Sequence, residues 1–219
     1  MALITTLRAR RRVPRLFAVA ALGLLAFTGT ASAKEAVTTQ ASAATCEAPL
    51  IEQPFLSFKD KRDYVLAPGG SFEDSTLDGW NLDGGAGVAR GNEPFNLRGA
   101  NDDNSLNLPA GGSATSPMMC VDLNWPTMRF VARQGDERDA ELSVQVLYPE
   151  AQGKKATWHE AKRFKSRLKD GWRPSEDVKL SPDMGGKFAG GRPVALRFTN
   201  ISDAGSWQID NVYVDPKRR

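Results

Sequence analysis

The sequence has one histidine and two cysteines in 219 residues. With His159 as the sole imidazole, a Ser-His-Asp or Cys-His arrangement has one place to form, and no Gly-x-Ser-x-Gly elbow accompanies it. His159-Glu160 starts a zinc-protease-like string, but Arg163 stands where the second histidine belongs. Gly85-Ala86-Gly87 stops short of a dinucleotide loop, because Arg90 replaces the third glycine. Acidic residues are plentiful, yet no spacing pairs two of them as the acid and base of a glycosidase. The sequence reads as a protein that is not an enzyme.

Excess charge is missing as well. The formal net charge of +3 comes from 29 basic residues against 26 acidic ones. Arg8, Arg10, Arg11, Arg12 and Arg15 lie in the first 33 residues, which hold no acid; the remaining 186 carry 24 basic and 26 acidic residues. Phosphate binding needs clustered positive charge, so a chain near −2 excludes nucleic acid as a partner. Long apolar runs are absent too. The longest, Leu16 to Phe27, is far below the roughly 20 residues that span a bilayer. Five arginines, this short run and Ala31-Ser32-Ala33 before Lys34 make residues 1–33 a secretory signal peptide. Arg11-Arg12 continues poorly as a twin-arginine signal, which favours the general route. The mature chain is expected to be secreted, with no membrane span.

In an oxidising compartment, Cys46 and Cys120 read as a disulfide. It would close a loop of about 75 residues, worth about 4 kcal/mol by chain entropy. Two buried thiols are the alternative. Residues 34–53 are rich in Ala, Thr and Ser and have few large apolar side chains, so they read as a flexible leader. Residues 54–216 then form one domain, and 217–219 a basic tail.

Within that domain, apolar residues alternate with polar ones. Leu142, Val144, Val146 and Tyr148 face one way and Glu141, Ser143 and Gln145 the other. Met128, Phe130 and Ala132 alternate with Arg129 and Arg133, and Val194, Leu196 and Phe198 with Arg197 and Thr199. Period-two alternation marks half-buried strands. Dense turn dipeptides punctuate them, among them Pro68-Gly69, Asp83-Gly84 and Gly111-Gly112. Helical periodicity is lacking, and residues 158–168 read as strand or loop. The fold class is therefore all-β, a β-sandwich. Near the end, Trp207 and Ile209 lie two apart, as do Val212 and Val214, but the pairs are three apart. A β-bulge at Asp210-Asn211 would absorb the slip; a strand that ends and restarts there is the alternative.

The pieces come in a recognisable order: Phe72-Glu73-Asp74, Gly79-Trp80, Ser105-Leu106-Asn107-Leu108, Met128-Arg129-Phe130-Val131, and Trp207-Gln208-Ile209-Asp210-Asn211-Val212. Over residues 70–215 this resembles the galactose-binding-domain-like jelly roll of many carbohydrate-binding modules. It is also similar to secreted bacterial proteins that end in an Ile-Asp-x-Val-Tyr-Val-Asp-Pro string, here Ile209 to Pro216. The resemblance implies a jelly-roll β-sandwich with a structural calcium where the first and last strands meet. Its implied ligands are Glu73 and Asp210, with backbone oxygens of residues 101–104.

Sugar modules stack aromatic faces on pyranose rings. Trp80 and Trp207 occupy core-like positions in this pattern and are expected to be buried. Trp125, Trp158 and Trp172 lie near turns or in the basic stretch and are the candidate ligand-binding residues. That stretch, residues 154–173, has eight basic residues and two acidic ones, whereas residues 71–103 have seven acidic and two basic. It reads as a solvated hairpin whose lysines discourage edge pairing, or as a patch for an anionic polymer. The expected function is an exported, non-catalytic binding module for a carbohydrate or cell-envelope glycan. The alternative is a secreted structural or adhesion protein that contacts other proteins.

Overall fold

Alternating side chains need two layers to bury one face of every strand, and the chain meets that need with two facing sheets. The computed structural model describes residues 50–74, 77–121, 127–135, 140–148, 156–165, 171–180 and 192–215. Cys46, Trp125, the expected signal peptide (1–33) and residues 34–49 of the expected leader lie outside them.

In chain order the strands are β1 (Val65–Leu66), β2 (Asn81–Asp83), β3 (Gly87–Arg90), β4 (Asn104–Pro109), β5 (Ser113–Thr115), β6 (Met119–Val121) and β7 (Thr127–Gln134). They continue with β8 (Leu142–Tyr148), β9 (Thr157–Phe164), β10 (Arg173–Pro174), β11 (Val178–Lys179), β12 (Arg192–Asn200) and β13 (Ser206–Asp215). The only helical elements among the described residues are single 3-10 turns at Leu56–Phe58 and Leu77–Gly79.

The first sheet runs β10-β7-β13-β4-β3, with β1 also on β13 and β11 also on β7. The second runs β2-β5-β12-β8-β9, with β6 also on β12. The pairings are antiparallel. The protein is an all-β jelly-roll sandwich; the alternation predicts the sandwich, and the resemblance implies the jelly roll. Its last two strands, β12 and β13, are the ones to which most others attach.

The inward faces follow the alternation. Met128, Phe130 and Ala132 meet Leu142, Val144, Val146, Val194, Leu196 and Phe198 in one core, with Trp207 and Ile209 from β13. Trp80 and Trp207 are both buried there, as expected. The Trp80 indole N–H also reaches the Pro68 carbonyl at 2.8 Å. β9 is a strand, and its Phe164 closes the core against Phe130 at 5.3 Å between ring centroids.

The bulge predicted on the last strand is present. Pairing of β13 with β7 shifts register between Asp210 and Tyr213. Asn211 adopts φ 51°, a left-handed conformation that Asn tolerates better than most residues. Trp207, Ile209, Val212 and Val214 all remain on the core side of the slip.

A second apolar cluster coats the outside of the first sheet. Phe55 and Tyr64, from a strap formed by residues 50–64, pack on Val131 and Tyr213, with Phe95, Leu97 and Trp172 at the margin. The strap closes on itself through Glu52 and Tyr64, whose backbones exchange bonds of 2.9 and 2.7 Å. It is tied down by charge. Asp60 lies 2.6 Å from both Arg62 and Arg129, and Arg62 reaches Asp177 at 2.8 Å.

Candidate functional site

Two places gather polar side chains beyond what the fold needs. One lies at the β13 bulge, where β4 stops pairing after Ile209. The residues joining β3 to β4 pack over it. Phe72 adopts φ 57°, unfavourable for a bulky residue; its ring is held in the core against Trp80 at 5.0 Å. This turn directs Glu73 to the backbone N–H groups of Asp103 and Asn104, which donate to its carboxylate at 2.9 and 3.0 Å.

Asp210 is fully buried. Its Oδ2 accepts from the Glu93 N–H at 3.3 Å. Its Oδ1 has no hydrogen-bond partner among the described residues, and neither has Asn211 Oδ1 nor Asp102 Oδ2. Glu93 is itself buried, accepting from the Phe95 and Leu97 N–H groups at 2.5 and 2.7 Å and from the Asn211 amide at 3.3 Å. Burial, reinforced by the charges of Glu93 and Glu73, pushes Asp210 up to about 8. Burial and Glu73 also raise Asp102. The bulge and the residues over it therefore concentrate acidic oxygens, two of which have no donor among the described residues.

Such a set of hard oxygens with unmet bonding capacity fits a hard divalent cation. No three His, Cys, Asp or Glu side chains among the described residues converge tightly enough to hold a metal alone. Amide and carbonyl oxygens would have to complete the shell, which calcium accepts. Of the two acids expected from the sequence, Glu73 lies close enough for its charge to act on Asp210, while its own carboxylate accepts from Asp103 and Asn104. The structure adds Glu93 and Asn211, which the sequence reading missed. Asn211 carried a signal, since the motif places an amide or acid after the Asp; Glu93 carried none, being one acid among several in a turn-rich stretch.

The other place is the outer face of the second sheet. Alternation that sends Leu196 and Phe198 inward sends Arg197 outward from β12. Register places Arg197 opposite Thr115 on β5 and Gln145 on β8, with Asn81 beyond Thr115 and Glu160 beyond Gln145. A polar row thus crosses the sheet. Beside it, Trp158 on β9 lies half-buried with the Arg197 guanidinium carbon 3.9 Å from its ring centroid. Arg197 Nε donates to Thr115 Oγ1 at 3.2 Å.

Trp158 and Trp172, both expected to bind ligand, are not brought together. Trp172 belongs to the strap side of the first sheet, 5.2 Å from the Arg133 guanidinium. Trp125 lies outside the described residues. Two bases of the basic stretch are neutralised by neighbouring acids. Lys162 pairs with Glu176 and Arg163 with Glu160, both at 2.6 Å. His159 is exposed, with its Nε2 3.0 Å from the Thr157 hydroxyl and its ring against Tyr148. Cys120 is half-buried on β6.

No family model matches the chain, and no curated protein matches it. Solved structures resemble it in fold. The CBM22-1 xylan-binding domain from Paenibacillus barcinonensis aligns over 68% of this chain and 94% of its own, at 15% identity and a TM-score of 0.45. A CBM28 module specific for non-crystalline cellulose aligns over 70% and 94%, at 16% identity and a TM-score of 0.45. A CBM61 module in complex with β-1,4-galactotriose aligns over 68% and 95%, at 16% identity and a TM-score of 0.36. Where such a module is part of a longer chain, as in a Clostridium thermocellum xylanase with CBM22-1 and GH10 modules, the match spans only 27% of that chain. These neighbours are carbohydrate-binding modules of the jelly-roll sandwich type, and the likeness is one of fold.

Proposed function

We propose that the protein is an exported, non-catalytic carbohydrate-binding module that takes a glycan on the outer face of its second sheet. The observation that carries this reading is the Arg197–Trp158 stack beside the row Asn81, Thr115, Gln145 and Glu160. An aromatic ring beside a line of hydrogen-bonding groups meets both needs of a sugar, an apolar ring face and hydroxyls at its rim. The outer face of the first sheet is instead packed by the strap.

Calcium is part of the proposal. It would be held by Asp210 and Asn211 with Glu73, and with backbone oxygens of residues 101–104. Bound there, it would neutralise the buried acids and fasten the residues before β4 to the last strand. Its role is structural, since this site and the glycan face belong to different sheets.

A glycan array, run with calcium and with chelator, tests the reading. Binding to a defined set of plant or envelope glycans is expected. Trp158→Ala should weaken it at least tenfold, because tryptophans dominate binding hot spots. An array without a single specific signal would remove the glycan reading. The second reading, contact with other proteins, draws on exposed Leu50, Ile51, Leu56 and Phe58 along the strap.

A further inference from the structure

Arg197 is half-buried on the central strand of the second sheet. Its guanidinium carbon lies 3.9 Å from the centroid of the Trp158 ring, and Nε donates to Thr115. Among the described residues no carboxylate pairs with it. The nearest acid along its row, Glu160, is taken by Arg163 at 2.6 Å and by the Ser143 hydroxyl at 3.4 Å. Three other arginines on the sandwich are neutralised: Arg62 and Arg129 by Asp60, and Arg163 by Glu160. Arg133 makes a similar stack on Trp172, but there Gln208 takes its Nε and the strap cluster packs the same face.

Burying a cation without a counter-charge costs free energy. Burial indeed lowers the affinity of Arg197 for its proton. That cost is recovered when an anion arrives, and a planar guanidinium held by stacking is set to grip a carboxylate through two parallel hydrogen bonds. A neutral sugar would leave the charge uncompensated.

We propose that Arg197 recognises a carboxylate on the ligand, so that the glycan bound on this face is an acidic one carrying uronic acid residues. This rests on the proposed glycan-binding role of the same face. The carboxylate meets the guanidinium fork, and the neighbouring hydroxyls meet Gln145, Thr115 and Asn81. Trp158 packs against the guanidinium, and the part of its ring left uncovered meets the sugar.

Calorimetric titration of the mature, calcium-loaded protein tests this with a matched pair of probes. One is a xylo-oligosaccharide decorated with glucuronic acid; the other is the same oligosaccharide after carboxyl reduction. The acidic probe is expected to bind at least tenfold more tightly, with a preference that falls as salt is raised. Arg197→Gln should abolish the preference. Arg197→Lys, which keeps the charge but loses the fork, should retain only a small part of it. Thermal melts of both variants establish that they are folded. Equal binding of the two probes, or a preference that survives in Arg197→Gln, would overturn the inference while leaving glycan binding intact. Failure of both probes together with a glycan array that gives no specific signal would overturn both.

Discussion

Asp210 shows how much one carboxylate depends on what surrounds it. Fully buried, with one oxygen unpartnered and two other acids nearby, it favours its neutral form in the absence of a cation. A calcium ion at about a hundred times its dissociation constant adds about 2.7 kcal/mol of stability. For a domain of this size that raises Tm by roughly 5–10 °C. Scanning calorimetry with calcium and with EDTA should show this rise, and Asp210→Ala should lose it. Identical curves under both conditions would leave no calcium site at the bulge. Glu73 and Asp210 were legible because they sit in short motifs of fixed order. Glu93 was not, because loop closure across Gly91 and Asp103 decides its burial, and nothing local encodes that. Trp158 was legible as a candidate, whereas its partner Arg197 was visible only as the outward member of an alternating strand. Cross-strand register is what brings the two together.

At the scale of elements, alternation did most of the work. β7, β8 and β12 were all readable because one face of each is apolar throughout. The bulge was readable for the same reason, since the apolar period breaks there by one residue. The strap was not. Residues 52–64 show no alternation, and they are fastened by an ion-pair network whose partners on β7 and at Asp177 are far away in sequence. Burial by itself would raise Asp60, but hydrogen bonds from Arg62 and Tyr64 and the charge of Arg62 outweigh it and hold the carboxyl far below its usual range. A carboxylate depressed in the folded state contributes stability above its unfolded value, about pH 4. That contribution is lost as pH falls through the lower folded value. Denaturant unfolding followed between about pH 2 and pH 6 should therefore show an acid-dependent loss that is smaller in Asp60→Asn. An identical slope in both proteins would mean the network adds no net stability. Gly70 marks another constraint on an element. A Cβ there would lie 2.9 Å from the Val212 carbonyl oxygen and 3.0 Å from that of Ala67. Gly70→Ala should cost about 1–3 kcal/mol, as overpacking does, measured by urea unfolding. A neutral substitution would mean that the turn moves freely away from the bulge.

For the molecule as a whole, the fold class followed from composition and punctuation, because short apolar stripes with frequent turns leave few alternatives to a sandwich. The pairing order did not follow, since it depends on contacts between residues far apart in the chain. The expected bridge between Cys46 and Cys120 belongs to this scale as well. Intact mass spectrometry of the exported protein should give a chain starting at Lys34 with the mass of an oxidised cysteine pair. Reduction should then lower stability by about 4 kcal/mol, the entropy of the loop it releases. Two cysteines that react with an alkylating reagent before reduction would rule the bridge out.

The placement of β12 and β13 has a consequence for how the chain comes into being. Each sheet is assembled around one of these two strands, and both come from residues 192–215, after every other strand of the sandwich. Until they leave the ribosome, β4 and β7 have no strand to lie between them, and neither do β5 and β8. Sheets built from such distant partners close slowly. The sandwich therefore cannot close before residues 192–215 have been made, which suits the proposed export, since a channel working on unfolded chains requires a polypeptide that is still threadable.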